Sequence, residues 1–420
     1  MKRAVVLAAW LACLPALAGA QGVKPGAAAL GFSAERLARI APVMEQFVRD
    51  GTFPGISLTV ARKGQVAYQQ EFGYADVEKK TPLAKDAIYR IFSMTKPITG
   101  VAVMILYEEG RFALDDPVSK FVPCFKDVQV AEAETAEGLT LVKAEREVTI
   151  RDLLRQTSGF SYGGASSAVG KRYQSAGLMD PQSTLPQMMQ KACGIPLLFQ
   201  PGSQWEYGVS IDMLGALVEI VSGQPLDRFM QTRIFDPLKM VDTGFFVPEN
   251  KLNRLVTAYS YVPGKGLVGS PGGPAVDRYK KGGVTLLSGG GGLVSTVSDY
   301  LRFATMLARG GALGGVRVLA PSTVALMSMD QLPKGVEPDF WGGKNGGNGY
   351  GFTMSVTKDV AATTGYGSVG DFGWDGAAST YFRIDTKEDL VLLLMTHRTP
   401  CDLEIQVKAK ALVYQALVGG

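Results

Sequence analysis

The chain has 420 residues, of which 46% are hydrophobic and 20% are charged, and its formal net charge is +4. These fractions are ordinary for a globular protein and exclude a disordered chain. No block of lysine and arginine stands out, so we expect no nucleic-acid partner, which would normally leave a basic stripe. There is one histidine, His397. A single histidine excludes a metal site built on several histidines, and any Ser-His-Asp triad would have to use His397.

The first twenty residues have the pattern of an export signal. A basic tripeptide, residues 1–3, precedes an apolar stretch, residues 4–17, and an Ala-Gly-Ala sequence, residues 18–20, that fits the small-residue cleavage rule. The apolar stretch is short for a bilayer span. We therefore expect cleavage after residue 20, a periplasmic or secreted protein, and no stable membrane anchor after cleavage.

Three cysteines remain beyond this segment, namely Cys124, Cys193 and Cys401. An odd number in an oxidising compartment leaves at least one free thiol. The spacings match neither a disulfide framework nor a zinc site. We therefore expect cysteines that are buried as small hydrophobic side chains, and a protein without a metal or other cofactor.

Periodic patterns predict helices and strands at both ends of the chain. Apolar residues at helical spacing follow the N-cap candidate Ser33, and alternation over residues 56–68 predicts a hairpin. Residues 93–109 predict a buried helix that begins at Ser93. Near the end, residues 380–385 and 390–396 are predicted to be strands, and a last helix runs from the cap Asp402 to about Leu417.

The middle of the chain, about residues 125–300, shows helical pieces separated by long loops rich in glycine, serine and proline. Such loops in a compact protein are usually functional, so we expect them to border the active site. The economical arrangement is an α+β fold. In it, residues 21–124 and 301–420 form an antiparallel sheet with flanking terminal helices, and residues 125–300 form an inserted, mostly helical lobe.

Ser93-Met94-Thr95-Lys96 places a hydroxyl and an amine three residues apart. On a helix these positions share a face, so the amine can reach the hydroxyl. The positive end of the helix dipole favours a developing alkoxide at Ser93. The same field, together with burial, disfavours a charged ammonium and suits Lys96 to the role of a base. On its own the motif is equally compatible with an N-cap followed by an exposed lysine.

Two other segments match motifs of serine enzymes. Ser355 to Lys358 repeat the Ser-x-x-Lys spacing, but their neighbours alternate as in a strand, where positions i and i+3 face opposite sides. Residues 159–163 match G-x-S-x-G, which needs a strand before it, a helix after it and a histidine partner. A helix-like stretch, residues 149–155, precedes it instead. We therefore interpret residues 159–163 as a turn that closes a helix.

Two further segments could complete a site around Ser93. Tyr207 lies just ahead of an apolar helix, residues 211–221, and a tyrosine hydroxyl beside a lysine can pass protons to a leaving group. Residues 373–377, Gly-Trp-Asp-Gly-Ala, precede a predicted strand, and their glycines would let a substrate approach the backbone closely. The free edge there could supply one oxyanion-hole N–H group, with the N–H of Ser93 as the other.

In this order and at these separations, the motifs resemble the serine β-lactamase and penicillin-binding-protein superfamily, especially its class C branch and the family VIII carboxylesterases. The stretches that carry the resemblance are residues 91–96 (Ile-Phe-Ser-Met-Thr-Lys), 153–159 (Leu-Leu-Arg-Gln-Thr-Ser-Gly), 207–209 (Tyr-Gly-Val), 237–245 and 289–300. They span nearly the whole chain beyond residue 20, and together they are far more specific than any one of them.

The resemblance implies a role for each matched residue. Ser93 would be the acylated nucleophile, Lys96 and Tyr207 the proton-transfer pair, and Ser93 and Ala377 the donors of the oxyanion hole. The chain also departs from the β-lactamases. It has Val209 where they carry asparagine, and Trp374-Asp375-Gly376 where they carry Lys-Thr/Ser-Gly. The esterase branch tends to lose that asparagine and to carry tryptophan at the lysine position, whereas Asp375 is unusual there.

We expect Trp374, Asp375 and Gly376 to bind substrate, and these residues decide the predicted substrate. Tryptophan offers an apolar wall in place of a cation, and Asp375 would repel an anion. An uncharged small-molecule ester with a short acyl group is therefore favoured. If Arg398 or Lys358 supplied the missing cation, a class C-like β-lactamase or D-amino-acid peptidase would result. A non-catalytic penicillin-binding-like sensor is the alternative from another class. We expect His397 to be structural.

Overall fold

The computed structural model describes residues 21–135, 138–164, 167–340, 343–344 and 346–419. The predicted export signal, residues 1–20, lies outside the described residues. No helix in the described part of the chain combines the length and the apolar character needed to cross a bilayer.

An antiparallel sheet of eight strands forms the centre of the molecule. In their order across the sheet, the strands are Asn348–Tyr350, Ser355–Thr357, Phe372–Asp375, Tyr381–Asp385, Leu390–Thr396, Gly55–Arg62, Gln65–Asp76 and Thr81–Pro82. In the register between Gly55–Arg62 and Leu390–Thr396, Ile56 lies opposite Thr396 and Arg62 opposite Leu390. The two ends of the chain therefore meet in the middle of the sheet, which confirms the predicted α+β fold.

The strand Leu390–Thr396 is buried on both faces of this sheet. Leu392 and Leu394 belong to the core beneath the terminal helices, whereas Leu393 and Met395 belong to the larger core on the other face. Successive side chains of a strand point to opposite faces, so a continuous apolar run is what a strand covered on both sides requires.

The terminal helices Ala34–Leu37, Ile40–Arg49 and Leu403–Tyr414 cover one face of the sheet. Ser33 caps the first of them, since its hydroxyl accepts the N–H of Arg36. The N-terminal helix predicted as one piece is thus two, and Met44 and Phe47 of the second piece are buried against the sheet.

The helix Thr95–Glu108, which we call the active-site helix, lies on the other face and packs against the helix Ser210–Ser222. Every residue from Thr95 to Leu106 is buried, as expected of a helix that is apolar all round. It begins two residues later than predicted, because Phe92–Met94 forms a 3₁₀ turn. Ser93 therefore lies in this turn, immediately before the helix.

The segment predicted as a mostly helical lobe contains helices and also two hairpins. Its helices are Ile150–Leu154, Ala168–Ala176, Leu185–Cys193, Ser210–Ser222, Leu226–Met230, the π-helix Gln231–Phe235, Asp236–Leu238, the 3₁₀ helix Glu249–Arg254, Pro274–Asp277 and the start of Val297–Ala308. The hairpins pair Gln129–Thr135 with Gly138–Lys143 and Ala258–Val262 with Gly266–Ser270. Arg398–Thr399 adds a third strand to the second hairpin.

The remaining elements connect these layers. They are the paired short strands Tyr89–Arg90 and Val294–Ser295, Ala312–Leu313 and Val316–Arg317, and Asp339–Phe340 and Gly343–Lys344, together with the helix Pro321–Met327 and the 3₁₀ turns Val118–Lys120, Pro123–Phe125 and Val360–Ala362.

Two of the three cysteines form a disulfide, so the prediction of buried, unpaired cysteines was wrong for them. Cys124 and Cys193 are joined with their Cα atoms 5.7 Å apart, and Cys124 is exposed. The bond links the 3₁₀ turn Pro123–Phe125 to the end of the helix Leu185–Cys193. The 69-residue separation gives no local sign of the pairing, because the fold alone brings the two turns together. Cys401 is a free thiol.

Candidate active site

The hydroxyl of Ser93 lies within hydrogen-bond distance of two polar side chains. Lys96 Nζ is 3.1 Å from Ser93 Oγ, and the hydroxyl of Tyr207 is 2.6 Å from the same atom. Lys96 is fully buried, whereas Ser93 and Tyr207 are half-buried. The structure therefore brings together the three residues that the sequence predicted to be catalytic, at distances that permit proton transfer.

The backbone around Ser93 is held from several sides. Phe92, directly before it, has a φ of +43°, a conformation that bulky residues rarely adopt. Tyr300 donates its hydroxyl to the carbonyl of Met94 at 2.9 Å, and the N–H of Leu293 donates to Thr95 Oγ1 at 3.1 Å. The turn Phe92–Met94 thus keeps a strained backbone geometry because buried hydrogen bonds surround it.

The amine of Lys96 has further partners that the sequence did not predict. It donates to the carbonyl of Gly290 at 2.7 Å and contacts the hydroxyl of Tyr162 at 3.2 Å. The ring centroid of Tyr207 lies 4.6 Å from the same nitrogen. Tyr162 is the fourth residue of the G-x-S-x-G match, so that segment borders the site, but through its tyrosine and not through its serine.

The carboxylate of Asp212 lies behind the contact between Lys96 and Tyr162. This carboxylate accepts the hydroxyl of Ser288 at 2.5 Å and the N–H of Gly290 at 3.0 Å, and the hydroxyl of Tyr162 lies 3.4 Å from it. Tyr162 as a residue is 36% exposed, but its hydroxyl contacts the buried Lys96 and Asp212. Burial of that hydroxyl, and the charge of Asp212, raise the pKa of Tyr162 well above its ordinary value. Tyr162 therefore stays protonated at neutral pH.

Tyr207 is placed by a close approach of two chain segments. A Cβ atom on Gly208 would clash with the carbonyl of Phe160, so only glycine allows the two segments to pack at this distance. The ring of Trp205 stacks on that of Tyr207 at 6.1 Å, and the ring of Trp374 lies 5.8 Å away on a tilted plane. Trp374 therefore forms an aromatic wall beside the proton-transfer pair.

Gly376 has a role that differs from the predicted one. We expected it to let a substrate approach the backbone, but its own neighbours fill that space. A Cβ atom at this position would clash with the carbonyl of Ile91 and with Thr380 Oγ1. The glycine thus lets the end of the strand Phe372–Asp375 approach the segment that leads to Ser93.

A cleft of about 270 Å³ opens over Ser93. Ala377 lines it, as do the apolar side chains of Phe92, Met179, Pro181 and Leu286. Ligand pockets commonly span about 300–1,000 Å³, so this cleft suits a small ligand. Ser93 and Ala377, the residues predicted to form the oxyanion hole, face the same space.

Asp375 lies elsewhere. It lines a separate cavity of about 170 Å³ together with Trp374, Arg383, Gln406 and Lys410. Trp374 and Asp375 are consecutive residues of one strand, so their side chains point to opposite faces of the sheet. Asp375 is not among the residues that line the cleft over Ser93, so its effect on an anionic substrate stays a prediction.

The other sequence motifs have structural roles. Ser355–Thr357 is a strand of the sheet, and the hydroxyl of Ser355 contacts Arg383 at 2.7 Å. Ser161, in the G-x-S-x-G segment, donates to Glu206 at 2.8 Å. Neither serine has the lysine and tyrosine partners that Ser93 has among the described residues.

His397 is buried away from the cleft. Its Nδ1 lies 2.7 Å from the carbonyl oxygen of Thr257, and its Nε2 lies 3.1 Å from that of Tyr74. Both ring nitrogens thus face backbone carbonyls. Burial lowers the pKa of His397 to about 4. This arrangement supports the structural role expected from the sequence.

The two cations considered as replacements for the β-lactamase lysine are paired elsewhere. Arg398 forms an ion pair with Asp402 at 3.1 Å, and Lys358 lies 3.5 Å from Asp330. Neither lines the cleft over Ser93. Within the described ranges, no group of three or more histidine, cysteine, aspartate or glutamate side chains is arranged to hold a metal ion.

Comparison with known proteins agrees with the fold. A family model described as Beta-lactamase matches residues 40–415, so the chain belongs to the β-lactamase family. Its site and its relatives place it in the serine β-lactamase and penicillin-binding-protein superfamily, close to the family VIII esterases.

Three relatives show where the similarity is strong. Protein Rv1367c of Mycobacterium tuberculosis is 34% identical over 370 residues, which cover 86% of this chain and 89% of that protein. Esterase EstB of Burkholderia gladioli is 31% identical over 384 residues, 87% of this chain and 91% of EstB. The solved structure of EstCE1, described as a hydrolase with promiscuous acyltransferase activity, has 26% identity and a TM-score of 0.73, and covers 92% of this chain and 99% of EstCE1. The protein is thus a serine hydrolase of the β-lactamase fold with esterase relatives.

Proposed function

We propose that this protein is a carboxylesterase that cleaves esters of short acyl groups through an acyl-enzyme on Ser93. The observation that carries the proposal is the meeting of three groups at one point, with Lys96 Nζ 3.1 Å and the hydroxyl of Tyr207 2.6 Å from Ser93 Oγ. The point lies at the floor of a small, largely apolar cleft. A nucleophile, a base and a proton donor are the parts that acyl transfer requires.

In the first half of the reaction, Ser93 Oγ attacks the ester carbonyl carbon while the amine of Lys96 takes the hydroxyl proton. The N–H groups of Ser93 and Ala377 stabilise the oxyanion. Tyr207 gives its hydroxyl proton to the alkoxide oxygen as the carbon–oxygen bond breaks, and the ammonium of Lys96 returns a proton to Tyr207. The alcohol leaves, and the acyl group stays on Ser93.

In the second half, water attacks the acyl carbon and gives a proton to the same lysine–tyrosine pair. The pair returns this proton to Ser93 Oγ as the acyl–oxygen bond breaks, and the carboxylic acid leaves. Tyr162 and the carbonyl of Gly290 orient the amine of Lys96 throughout.

The aromatic environment of Tyr207 supports an ester over a β-lactam. Trp374 packs beside Tyr207 at the position where the β-lactamases of this superfamily carry a cation for the substrate carboxylate. Arg398 and Lys358 do not replace that cation, because both are paired away from the cleft. The similarity to EstB and EstCE1 supports the same choice.

We also propose that the protein is exported. The basic and apolar pattern of residues 1–20 carries this proposal. The Cys124–Cys193 disulfide supports it, since such bonds persist in oxidising compartments.

The test is hydrolysis of p-nitrophenyl butyrate by the wild type and three variants. Lys96→Ala and Tyr207→Phe are expected to lower kcat by at least about 10²-fold, since general acid–base catalysis contributes roughly 10²–10⁴-fold. Lys358→Ala is the matched control, because it removes the lysine of the other Ser-x-x-Lys segment, and it should keep wild-type kcat. Mass spectrometry after treatment with an organophosphonate should locate the adduct on Ser93.

Other outcomes would redirect the assignment. Efficient turnover of a chromogenic cephalosporin with negligible ester turnover would identify a β-lactamase. A single stoichiometric release of product, without further turnover, would identify the sensor class. Full activity of Lys96→Ala would contradict the mechanism.

A further inference from the structure

The cleft over Ser93 contains one formally charged side chain among the described residues that line it, and that residue is Arg278. The other lining residues are apolar, aromatic, glycine or hydroxyl-bearing. A cation in an otherwise uncharged cleft next to a nucleophile can select among substrates. It attracts an anionic ligand group and gains little from a neutral one.

The segment that carries Arg278 is anchored to the body of the protein. Arg90, which is buried, donates through Nε to the carbonyl of Ala275 at 3.1 Å and through Nη1 to that of Val256 at 2.6 Å. The ring of Tyr279 is buried with the guanidinium of Arg90 5.2 Å from its centroid, and its carbonyl accepts the N–H of Val247 at 2.8 Å. The residues on both sides of Arg278 are thus fixed, although its own side chain is exposed.

The charge of Arg278 is not neutralised by an ion pair within the described ranges. Asp277, its neighbour in the chain, pairs with Lys280 at 2.8 Å instead. Lys281 adds another positive charge to the same short segment. The carboxylate of Asp212, behind the cleft floor, is held by Ser288 and the N–H of Gly290. The guanidinium lies 5.3 Å from the centroid of the Tyr279 ring, but it is exposed and forms no ion pair with a described residue, so it remains available to a ligand.

We infer that the ester substrate carries a carboxylate on the part that fills this cleft, in place of the uncharged ester expected from Trp374 and Asp375, and that Arg278 is the residue that selects for it. The inference rests on the proposed esterase function and names its substrate class, short esters with a carboxylate at the far end of the acyl chain. The planar guanidinium matches the planar carboxylate through paired N–H donors. The small volume of the cleft limits the chain between carboxylate and ester to a few carbons.

The test compares two substrates that differ in charge and hardly in shape. One is the mono-p-nitrophenyl ester of glutaric acid, and the other is the same ester with a primary amide in place of the free carboxylate. Release of nitrophenol is followed, with enzyme-free blanks subtracted, for the wild type, Arg278→Gln, Arg278→Glu and Lys280→Gln. The last is the matched control, since Lys280 is a neighbouring cation that does not line the cleft.

The wild type is expected to prefer the carboxylate ester by roughly tenfold in kcat/KM, as a charge-assisted hydrogen bond would give. The preference should reside mainly in KM, because substrate and transition state bind Arg278 alike. It should shrink as salt screens the pair. Arg278→Gln should abolish the preference and Arg278→Glu should reverse it, whereas Lys280→Gln should keep it.

Equal ratios in the wild type and both Arg278 variants would overturn the inference and leave the esterase function standing, since both esters would still be cleaved. Failure of the wild type to cleave either ester would overturn the proposed function and this inference with it. Thermal denaturation of each variant confirms that an altered ratio does not reflect unfolding.

Discussion

Three oxygen atoms surround the amine of Lys96, those of Ser93, Tyr162 and Gly290, and none of them carries a formal charge. A lysine with a structural role usually reaches a carboxylate or water. Here the side chain is fully buried and reaches the hydroxyl of Ser93 instead. This difference separates Lys96 from Lys358, which has the same local sequence motif but pairs with Asp330.

Parts of this site could be predicted from local sequence and parts could not. Ser93 and Lys96 are three residues apart, so helical geometry alone predicts their contact. Tyr162 lies 66 residues from its contact Lys96 in the chain, and Asp212 lies 50 residues from its contact Tyr162. Nothing in their neighbouring sequence indicates those contacts, because the packing of the active-site helix against Ser210–Ser222 creates them.

At His397 we predict a measurable acid sensitivity of folding. The pKa of this buried ring is about 4 in the folded protein, against an ordinary 6.5. Between these values the unfolded chain binds a proton that the folded one does not, so the free energy of unfolding falls as the pH drops from about 6.5 to 4. The loss from this residue is roughly 3 kcal/mol. Urea denaturation at pH 7.5 and pH 4.5 measures it.

His397→Gln is the comparison variant for that measurement. It removes the titrating group, so the difference in unfolding free energy between the two pH values should be smaller than in the wild type. The same pH dependence in both proteins would contradict the assignment. The variant should keep most of the activity of the wild type, since both ring nitrogens of His397 contact backbone carbonyls away from Ser93.

At the scale of elements, the strand Phe372–Asp375 shows how the alternation of side chains along a strand decides which residues face the same side of the sheet. The sequence predicts a strand only from Thr380, with residues 373–377 before it, and Trp374 and Asp375 are both expected to bind substrate. As a strand, the segment separates them onto opposite faces. The two glycines concealed the strand, because glycine is poor in strands and common in turns.

The close approach at the end of this strand is expected to matter for activity. Gly376→Ala should lower kcat/KM for p-nitrophenyl butyrate by roughly 10–100-fold, because the added Cβ would push the strand end away from Ile91 and displace Ala377 from Ser93. Gly365→Ala is the control, since a Cβ atom there meets nothing within 4 Å. Unchanged kinetics in Gly376→Ala would show that the close approach is not needed for activity.

At the scale of the whole molecule, the disulfide is the feature with a direct effect on stability. It closes a loop of 69 residues between Cys124 and Cys193, and the chain-entropy model assigns such a loop roughly 4 kcal/mol. We therefore expect the double variant Cys124→Ala/Cys193→Ala to unfold at a clearly lower urea concentration than the wild type. Cys401→Ala, which removes the free thiol, is the control.

Reducing agent offers an independent check of the same bond. Because Cys124 is exposed, dithiothreitol should shift the wild-type transition towards that of the double variant and leave the double variant unchanged. A wild-type transition that does not respond to reduction, together with two free thiols at these positions by alkylation and mass spectrometry, would contradict the bond.

The meeting of the chain ends in the sheet also governs when the protein can fold. Gly55–Arg62 has Leu390–Thr396 as its neighbour, so an early segment must wait for one synthesised more than three hundred residues later. Until then its unpaired edge and its apolar residues stay accessible to other chains. Contacts between such distant segments form slowly. A nascent chain that ends before residue 390 therefore lacks the strand Leu390–Thr396, which lies between Tyr381–Asp385 and Gly55–Arg62. A cell must either keep such a chain from aggregating or degrade it.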